Sequence, residues 1–164
     1  MRILVLSDSH GRNYGMFSVV DKHYSEINAV IHLGDLVSDA EELVRKYPYL
    51  PVCTVAGNCD LYGFSKDDYE KTVEYGGVKI FMCHGHTCGV KGSLGLLRSK
   101  AEQNGAKIAL FGHTHLPLVE EKDGIILMNP GSISEPRDGR APSYGMVEIE
   151  NGEVVSCKTL RWWG

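Results

Sequence analysis

At 164 residues the chain can bury a proper core in one domain, and 43% hydrophobic with 23% charged residues is a globular rather than a disordered composition. With 17 Lys and Arg against 21 Asp and Glu, the net charge of −4 argues against the basic face of a dedicated nucleic-acid binder. A phosphate substrate stays open, because bound metal ions can supply positive charge.

Arg2 to Leu6 reads as a buried strand that ends in Ser7-Asp8-Ser9-His10-Gly11. This apolar run is too short for a signal-peptide core or a bilayer span, and no other segment is longer, so the expectation is a cytoplasmic protein without membrane contact. Five cysteines, an odd number, read as reduced thiols rather than a disulfide framework. Asp8 and His10 are two residues apart and on extended backbone would converge on one point. A helix is expected from Asn13 to about Tyr24, with Met16, Val19, Val20 and His23 at helical spacing. Asn28 to Leu33 is a second strand, ending in Gly34-Asp35. Ser38 or Asp39 can cap a helix over Ala40 to Lys46, which stops before Pro48. Pro51 to Ala56 is a third strand, ending in Gly57-Asn58-Cys59-Asp60. This strand–helix alternation favours a parallel sheet with right-handed crossovers.

Lys71 to Glu74 and Val78 to Met82 flank Tyr75-Gly76-Gly77 as a hairpin, and the second strand runs into Cys83-His84-Gly85-His86. Ser93 to Asn104 reads as a helix stopped at Gly105, and Lys107 to Phe111 as the strand leading to Gly112-His113-Thr114-His115. That histidine pair, again two apart, reads as extended backbone presenting both rings to one site. Leu118 to Lys122, Ile125 to Met128, Gly145 to Glu150 and Val154 to Thr159 are strands joined by Asp123-Gly124 and Asn151-Gly152 turns, which predicts an antiparallel C-terminal sheet. The fold class is α/β: a two-sheet sandwich flanked by helices, over 1–164 as a single domain, with a mixed N-terminal sheet.

Asp8, His10, Asp35, Asn58, His84, His113 and His115 all fall at or just past the end of an apolar strand. Ligands of α/β sheets bind at the carboxyl ends of strands, so strands in one sheet would gather all seven on one edge. Carboxylate, imidazole and amide oxygen suit Mn, Fe, Co, Ni or Zn rather than an iron–sulfur cluster.

D-x-H, G-D, G-N-x-D, a lone His and G-H-T-H, in this order, resemble the calcineurin-like metallophosphoesterase family. The short length and Asn129-Pro130-Gly131-Ser132 resemble its compact bacterial and archaeal phosphodiesterase branch, and the motifs run from Asp8 to Ser132. The resemblance implies a four-layer α-β-β-α fold and two divalent ions, with Mn²⁺ first and Ni²⁺, Fe²⁺, Co²⁺, Zn²⁺ or Mg²⁺ as alternatives. One ion would sit on Asp8, His10, Asp35 and His115, the other on Asp35, Asn58, His84 and His113, with Asp35 and a hydroxide bridging. It also implies in-line attack of that hydroxide on a small phosphodiester, nucleotide-derived among the options, with Asp35, Asn58 and His84 in the catalytic machinery. Asn58 and His86 are candidates for contacting the substrate, His86 equally for a plain loop residue.

Many family members carry histidine where this chain has Cys59, near the leaving group; a thiol is a poor proton donor there, and inert packing is the favoured reading. Asp60 is expected to orient Asn58 or a loop. Cys83 to Cys88 invites a zinc-knuckle reading but lacks a second paired motif. Asn129 to Ser132 reads first as turn chemistry. Trp162 and Trp163 are expected to cover an edge or join a dimer or tetramer contact, and Tyr62 and Phe64 to do likewise or to line the substrate mouth. The competing functions are a phosphomonoesterase or nucleotidase, and the non-catalytic scaffold role this fold has in a retromer-like sorting subunit. The scaffold reading expects eroded ligands, and all seven stand here.

Overall fold

Strand β1 (Arg2–Leu6) sets the layering. Its side chains alternate between two buried clusters, Ile3 and Val5 in one and Leu4 and Leu6 in the other, because successive strand residues face opposite sides. A strand buried on both faces belongs at the centre of a sheet. In the computed structural model, which describes residues 1–60 and 63–164, β1 pairs in parallel with β2 (Ala29–His32) and antiparallel with β9 (Ser143–Glu150). With β3 (Val52–Thr54) and β10 (Glu153–Arg161) the first sheet has the order β10-β9-β1-β2-β3. The second sheet has the order β4-β5-β6-β8-β7, built from β4 (Glu70–Tyr75), β5 (Val78–Cys83), β6 (Ile108–Leu110), β7 (Leu118–Lys122) and β8 (Ile125–Asn129).

The sheets pack through Ile3, Val5, Ile31, Ile80, Met82, Ile108 and Leu110. Helices α1 (Asn13–His23) and α2 (Val37–Lys46) cover the outer face of the first sheet with Met16, Val19, Val20 and Leu43. Helix α3 (Gly95–Gln103) covers the second with Leu97 and Ala101 against Phe81, Ala109 and Phe111. The α-β-β-α order matches the class expected. Among the described residues no helix is long and apolar enough to cross a membrane.

Three expectations are corrected. The C-terminal strands do not form their own antiparallel sheet. Each hairpin is antiparallel within itself, but β7–β8 joins the second sheet, where β8 runs parallel to β6, and β9–β10 joins the first. The turns fix each pair locally; the partner sheet is chosen by which apolar faces remain uncovered, a long-range matter. For the same reason the ligand-bearing strands lie in two sheets rather than one: β1, β2 and β3 in the first, β5 and β6 in the second. Helix α2 begins at Val37 rather than Ala40, because the Asp60 carboxylate reaches across and accepts the Val37 N–H at 2.8 Å, where a local Ser38 or Asp39 cap was expected.

His23 lies on α1 as expected and pairs its Nε2 with the Tyr144 hydroxyl at 3.0 Å. Trp162 packs on the same helix, its indole N–H 3.3 Å from Ser18 Oγ, while Trp163 is exposed. Tyr62 lies outside the described residues.

Candidate metal centre

The end of β1 meets the ends of β2, β5 and β6 at the common rim of the two sheets. Asp8 N–H donates to Gly34 O and His10 N–H to Asp35 O, each at 3.2 Å, which locks the first two loops together. Gly112 N–H donates to His84 O at 2.8 Å and ties the two loops of the second sheet in the same way. The loops do not continue the strands. Asp8, His10, Asp35, His113 and His115 all have φ between 47° and 67°, so the expected extended backbone at Asp8–His10 and His113–His115 is not what converges the side chains. Left-handed turns do, and Asp and His are among the few side chains that enter this region readily.

Three groups of ligand atoms, within 4.8 Å of one another, result: Asp8 with His10 and His115, Asp8 with Asp35 and His84, and His10 with Asp35 and Cys59. Asp8 is fully buried; its Oδ2 accepts from Ser7 Oγ at 2.6 Å and from the His113 N–H at 3.1 Å. Among the described residues its Oδ1 has no hydrogen-bond partner, and it faces His115 Nε2 at 3.2 Å and His84 Nε2 at 3.9 Å. Asp35 Oδ2 lies 3.4 Å from His84 Nε2 and 3.9 Å from His10 Nε2. Asn58 Oδ1 stands 3.2 Å from His84 Nε2. His10 and His115 bring their Nε2 atoms within 3.3 Å.

The tautomers follow from the carbonyls behind the rings. His84 Nδ1 is 2.7 Å from Leu33 O and His115 Nδ1 is 2.6 Å from Glu135 O, so each Nδ1 carries a proton and donates it. Both Nε2 atoms then point inward, as Nε2 does in a metal-bound histidine whose other nitrogen donates to a backbone carbonyl. His84 Nε2 faces oxygen atoms of Asn58, Asp35 and Asp8. A nitrogen facing three acceptors requires something positive between them, a proton or a metal ion. Burial disfavours a charged His84, yet the Asp35 and Asp8 carboxylates outweigh it and raise its pKa; His115, next to Asp8, is raised in the same way against its burial. Against the cost of burial, His84 with the Cys59 N–H and thiol holds Asp35 far below the carboxylate range, and His115, His84 and Ser7 lower Asp8. The donor set of two carboxylates, imidazoles and an amide oxygen fits divalent transition ions.

His113 stands slightly apart. Its ring centroid is 5.1 Å from that of His84, outside all three tight groups, and burial with the charges of His84 and Lys91 lowers its pKa to about 4. His86, in the single turn His86–Cys88, lies 5.4 Å from the His84 ring and 6.1 Å from the His113 ring, with its Nδ1 buried and without a partner among the described residues. Cys59 is exposed, but it is not simply packing. Its N–H donates to Asp35 Oδ1 at 2.9 Å and its thiol to Oδ2 at 3.3 Å, and burial with that hydrogen bond pushes the thiol up to about 11. Asp60 orients loops rather than Asn58, accepting Val37 N–H and Gly57 N–H. Cys83 faces the α3 side, away from the centre, with its sulfur 3.9 Å from that of Cys88.

Sequence reasoning missed two supports. Asn129 Nδ2 donates to Gly112 O at 2.8 Å, and Ser132 Oγ donates to Asp8 O at 2.7 Å, so this turn clamps ligand loops from both sheets. A buried chain runs from His32 Nε2 to Ser9 Oγ (3.0 Å) and from there to Asp39 Oδ2 (2.6 Å), bracing the Asp8–His10 turn from behind. The N-P-G-S string was visible as a signal; the second chain joins residues scattered over three elements.

The fold and this donor set are those of a metal-dependent phosphoesterase. The calcineurin-like phosphoesterase superfamily domain matches residues 1–152, and the chain belongs to that superfamily. It is 38% identical to the probable metallophosphoesterase YsnB of Bacillus subtilis over 152 residues, covering 92% of this chain and 86% of the relative. It is 28% identical to the phosphodiesterase YfcE of Escherichia coli K12, covering 95% and 92%. Among solved structures, a predicted phosphoesterase from Streptococcus pneumoniae TIGR4 superposes with a TM-score of 0.79 at 33% identity, covering 98% of this chain and 88% of that one. Vps29 from Entamoeba histolytica complexed with zinc superposes with a TM-score of 0.74 over 99% and 98% at 24% identity, a likeness of fold alone.

Proposed function

We propose that this protein is a divalent-metal-dependent phosphodiesterase acting on a small phosphodiester in the cytoplasm, with Mn²⁺ as the preferred ion. The observation that carries the reading is His84 Nε2, which faces the oxygens of Asn58, Asp35 and Asp8 while its Nδ1 is committed to Leu33 O. Asp8, His10, Asp35 and His115 would hold one ion, and Asp35, Asn58, His84 and His113 the other. Two such ions would supply a water of lowered pKa and positive charge for an in-line displacement at phosphorus.

The chain's own groups have distinct tasks. Asp35 faces both His10 and His84 and is the shared carboxylate. Leu33 O and Glu135 O accept the Nδ1–H groups of His84 and His115, which leaves both Nε2 atoms to face the ions. The Asn58 amide, whose Nδ2 makes only a 3.5 Å contact to Cys59 Sγ, can turn to a phosphoryl oxygen, and His86 can reach it from the border of the centre. No side chain serves as a covalent nucleophile in this scheme. A phosphoenzyme, or retention of configuration at phosphorus, would refute it.

The test is hydrolysis of bis(p-nitrophenyl) phosphate beside p-nitrophenyl phosphate by metal-stripped protein, with and without Mn²⁺. Metal-dependent turnover favouring the diester supports the reading. Preference for the monoester makes the protein a phosphatase, and no turnover of either ester by protein shown to hold metal makes it a scaffold.

A further inference from the structure

Between the two histidine loops lies a groove of about 470 Å³ that the ligand set does not use. One wall grows out of the His84-Gly85-His86 loop: Val90 packs so closely on Gly85 that a Cβ there would meet Val90 Cγ2 at 2.8 Å. The other wall continues the second loop through Thr114 and Leu116, with Leu94 and Phe111 completing the lining. Leu116, the residue after His115, is 45% exposed, a large apolar side chain left in water. Lys91 sits at the rim, exposed, and among the described residues no carboxylate pairs with it.

The groove offers little hydrogen bonding. The Thr114 hydroxyl already accepts from Asn129 Nδ2 at 3.1 Å and from the Leu116 N–H at 3.2 Å. A nucleobase placed here would bury its polar edge without partners, which costs more than its stacking returns. An aryl ring carries no such demand, and pockets of a few hundred Å³ with apolar walls and one charged group are typical small-ligand sites. The free ammonium of Lys91 suits an anion carrying that ring. Cys59, by contrast, packs on Asp35 at a different border of the centre.

We infer that this groove receives the ester arm that stays on phosphorus, and that the arm it takes is apolar and ring-sized, so that the substrate is an aryl-type phosphodiester rather than a monoester. The inference rests on the phosphodiesterase reading and explains how such an enzyme would tell a diester from a monoester, which has no second arm.

The experiment holds the leaving group fixed. Mn²⁺-loaded protein is given p-nitrophenyl phenyl phosphate and p-nitrophenyl methyl phosphate. Wild type should favour the phenyl ester in kcat/KM by roughly tenfold, chiefly through KM, the scale on which apolar pockets discriminate. Leu116→Ala, at an exposed position, and Leu94→Trp, which fills the groove, should each erase most of that preference while leaving the methyl ester within about twofold. Equal loss on both esters, or an unchanged ratio, overturns the groove and leaves the phosphodiesterase reading standing. If wild type turns over neither ester, that reading fails, and calorimetric titration with diphenyl phosphate decides the groove alone. Weaker binding by both variants, with dimethyl phosphate unaffected, supports it; equal binding refutes it.

Discussion

Ser132 is a fully buried hydroxyl with three bonds: it donates to Asp8 O and accepts the N–H groups of Ser134 (3.1 Å) and Glu135 (2.7 Å). Ser132→Ala removes all three. Asp8 O keeps a second donor, Ser134 Oγ at 2.9 Å, so the loss falls on the two part-buried N–H groups. At about 1 kcal/mol or slightly more for each unpaired group, the substitution should destabilise the fold by roughly 2–3 kcal/mol. For a chain of this size that is a fall in Tm of roughly 5–10 °C. The same turn carries Glu135 O, which fixes His115, so Mn²⁺ affinity should fall by about 10- to 100-fold, the usual effect of losing an outer-shell partner. Thermal melts of metal-stripped protein and Mn²⁺ titration calorimetry read the two effects separately. Ser134→Ala, which removes one of two donors to Asp8 O, should show less than half of either effect. A Ser132→Ala protein with lowered Tm and wild-type Mn²⁺ affinity would refute the view that the turn positions the ligands.

Cys59→His should raise kcat on alkyl diesters, whose alkoxides need a proton, by at least ten times more than on p-nitrophenyl esters; equal effects on both would place residue 59 away from the leaving group. His32 is buried, and its pKa is lowered to about 4 by that burial against the opposing Asp39, Asp8 and Asp60 carboxylates. A depressed folded pKa means its contribution is complete above about pH 6.5 and is lost as pH falls from there to about 4. The loss is about 3 kcal/mol in metal-stripped protein, read by urea melts across that range, and His32→Gln should flatten that slope. Gly57→Ala would drive its Cβ into the Asp35 carboxylate and within 2.5 Å of the Asp35 N–H nitrogen, so Mn²⁺ binding should be lost even if the protein folds; retained affinity would show that Asp35 is not a ligand. Mn²⁺ at 100 times its Kd should stabilise wild type by about 2.7 kcal/mol, and an unchanged Tm would contradict binding to the folded state.

What could be read from the sequence was local. Ile3-Leu4-Val5-Leu6 and Ile108-Ala109-Leu110 announce buried strands, and Asp123-Gly124 and Asn151-Gly152 announce hairpins, because these signals sit within a few residues. Which sheet a hairpin joins depends on faces brought from elsewhere, and there the local reading failed for β7–β8 and β9–β10. The candidate ligands could be picked out because their types, placed after apolar strands, fall in the order of the resembled family. Their supports were not: His32, Ser9 and Asp39 form one buried chain from three elements, and no spacing in the sequence joins them. Asp60 shows both sides of this. Its place in G-N-x-D marked it as an orienting group, yet the groups it orients, Val37 and Gly57, are known only from the fold.

The left-handed backbone at five ligand positions gives the centre its logic. Of the seven non-glycine residues with positive φ among those described, Asp123 and Asn151 lie in hairpin turns, where the conformation is ordinary, and the other five are all metal-ligand candidates. Each costs of order 1 kcal/mol as an L-residue in that region, less for Asp, and strained positions persist only when their surroundings over-determine them. Here the surroundings are the loops themselves. Gly34 O holds Asp8, Asp35 O holds His10, and His84 O holds Gly112 ahead of His113. The Asn129 to Ser132 turn then grips Gly112 and Asp8 together, joining the loops of the two sheets. No loop can keep its conformation alone, so the ligands reach their places only when both sheets are docked. Hydrogen bonds that tie the loops together without an ion favour a geometry set by the protein rather than by the metal.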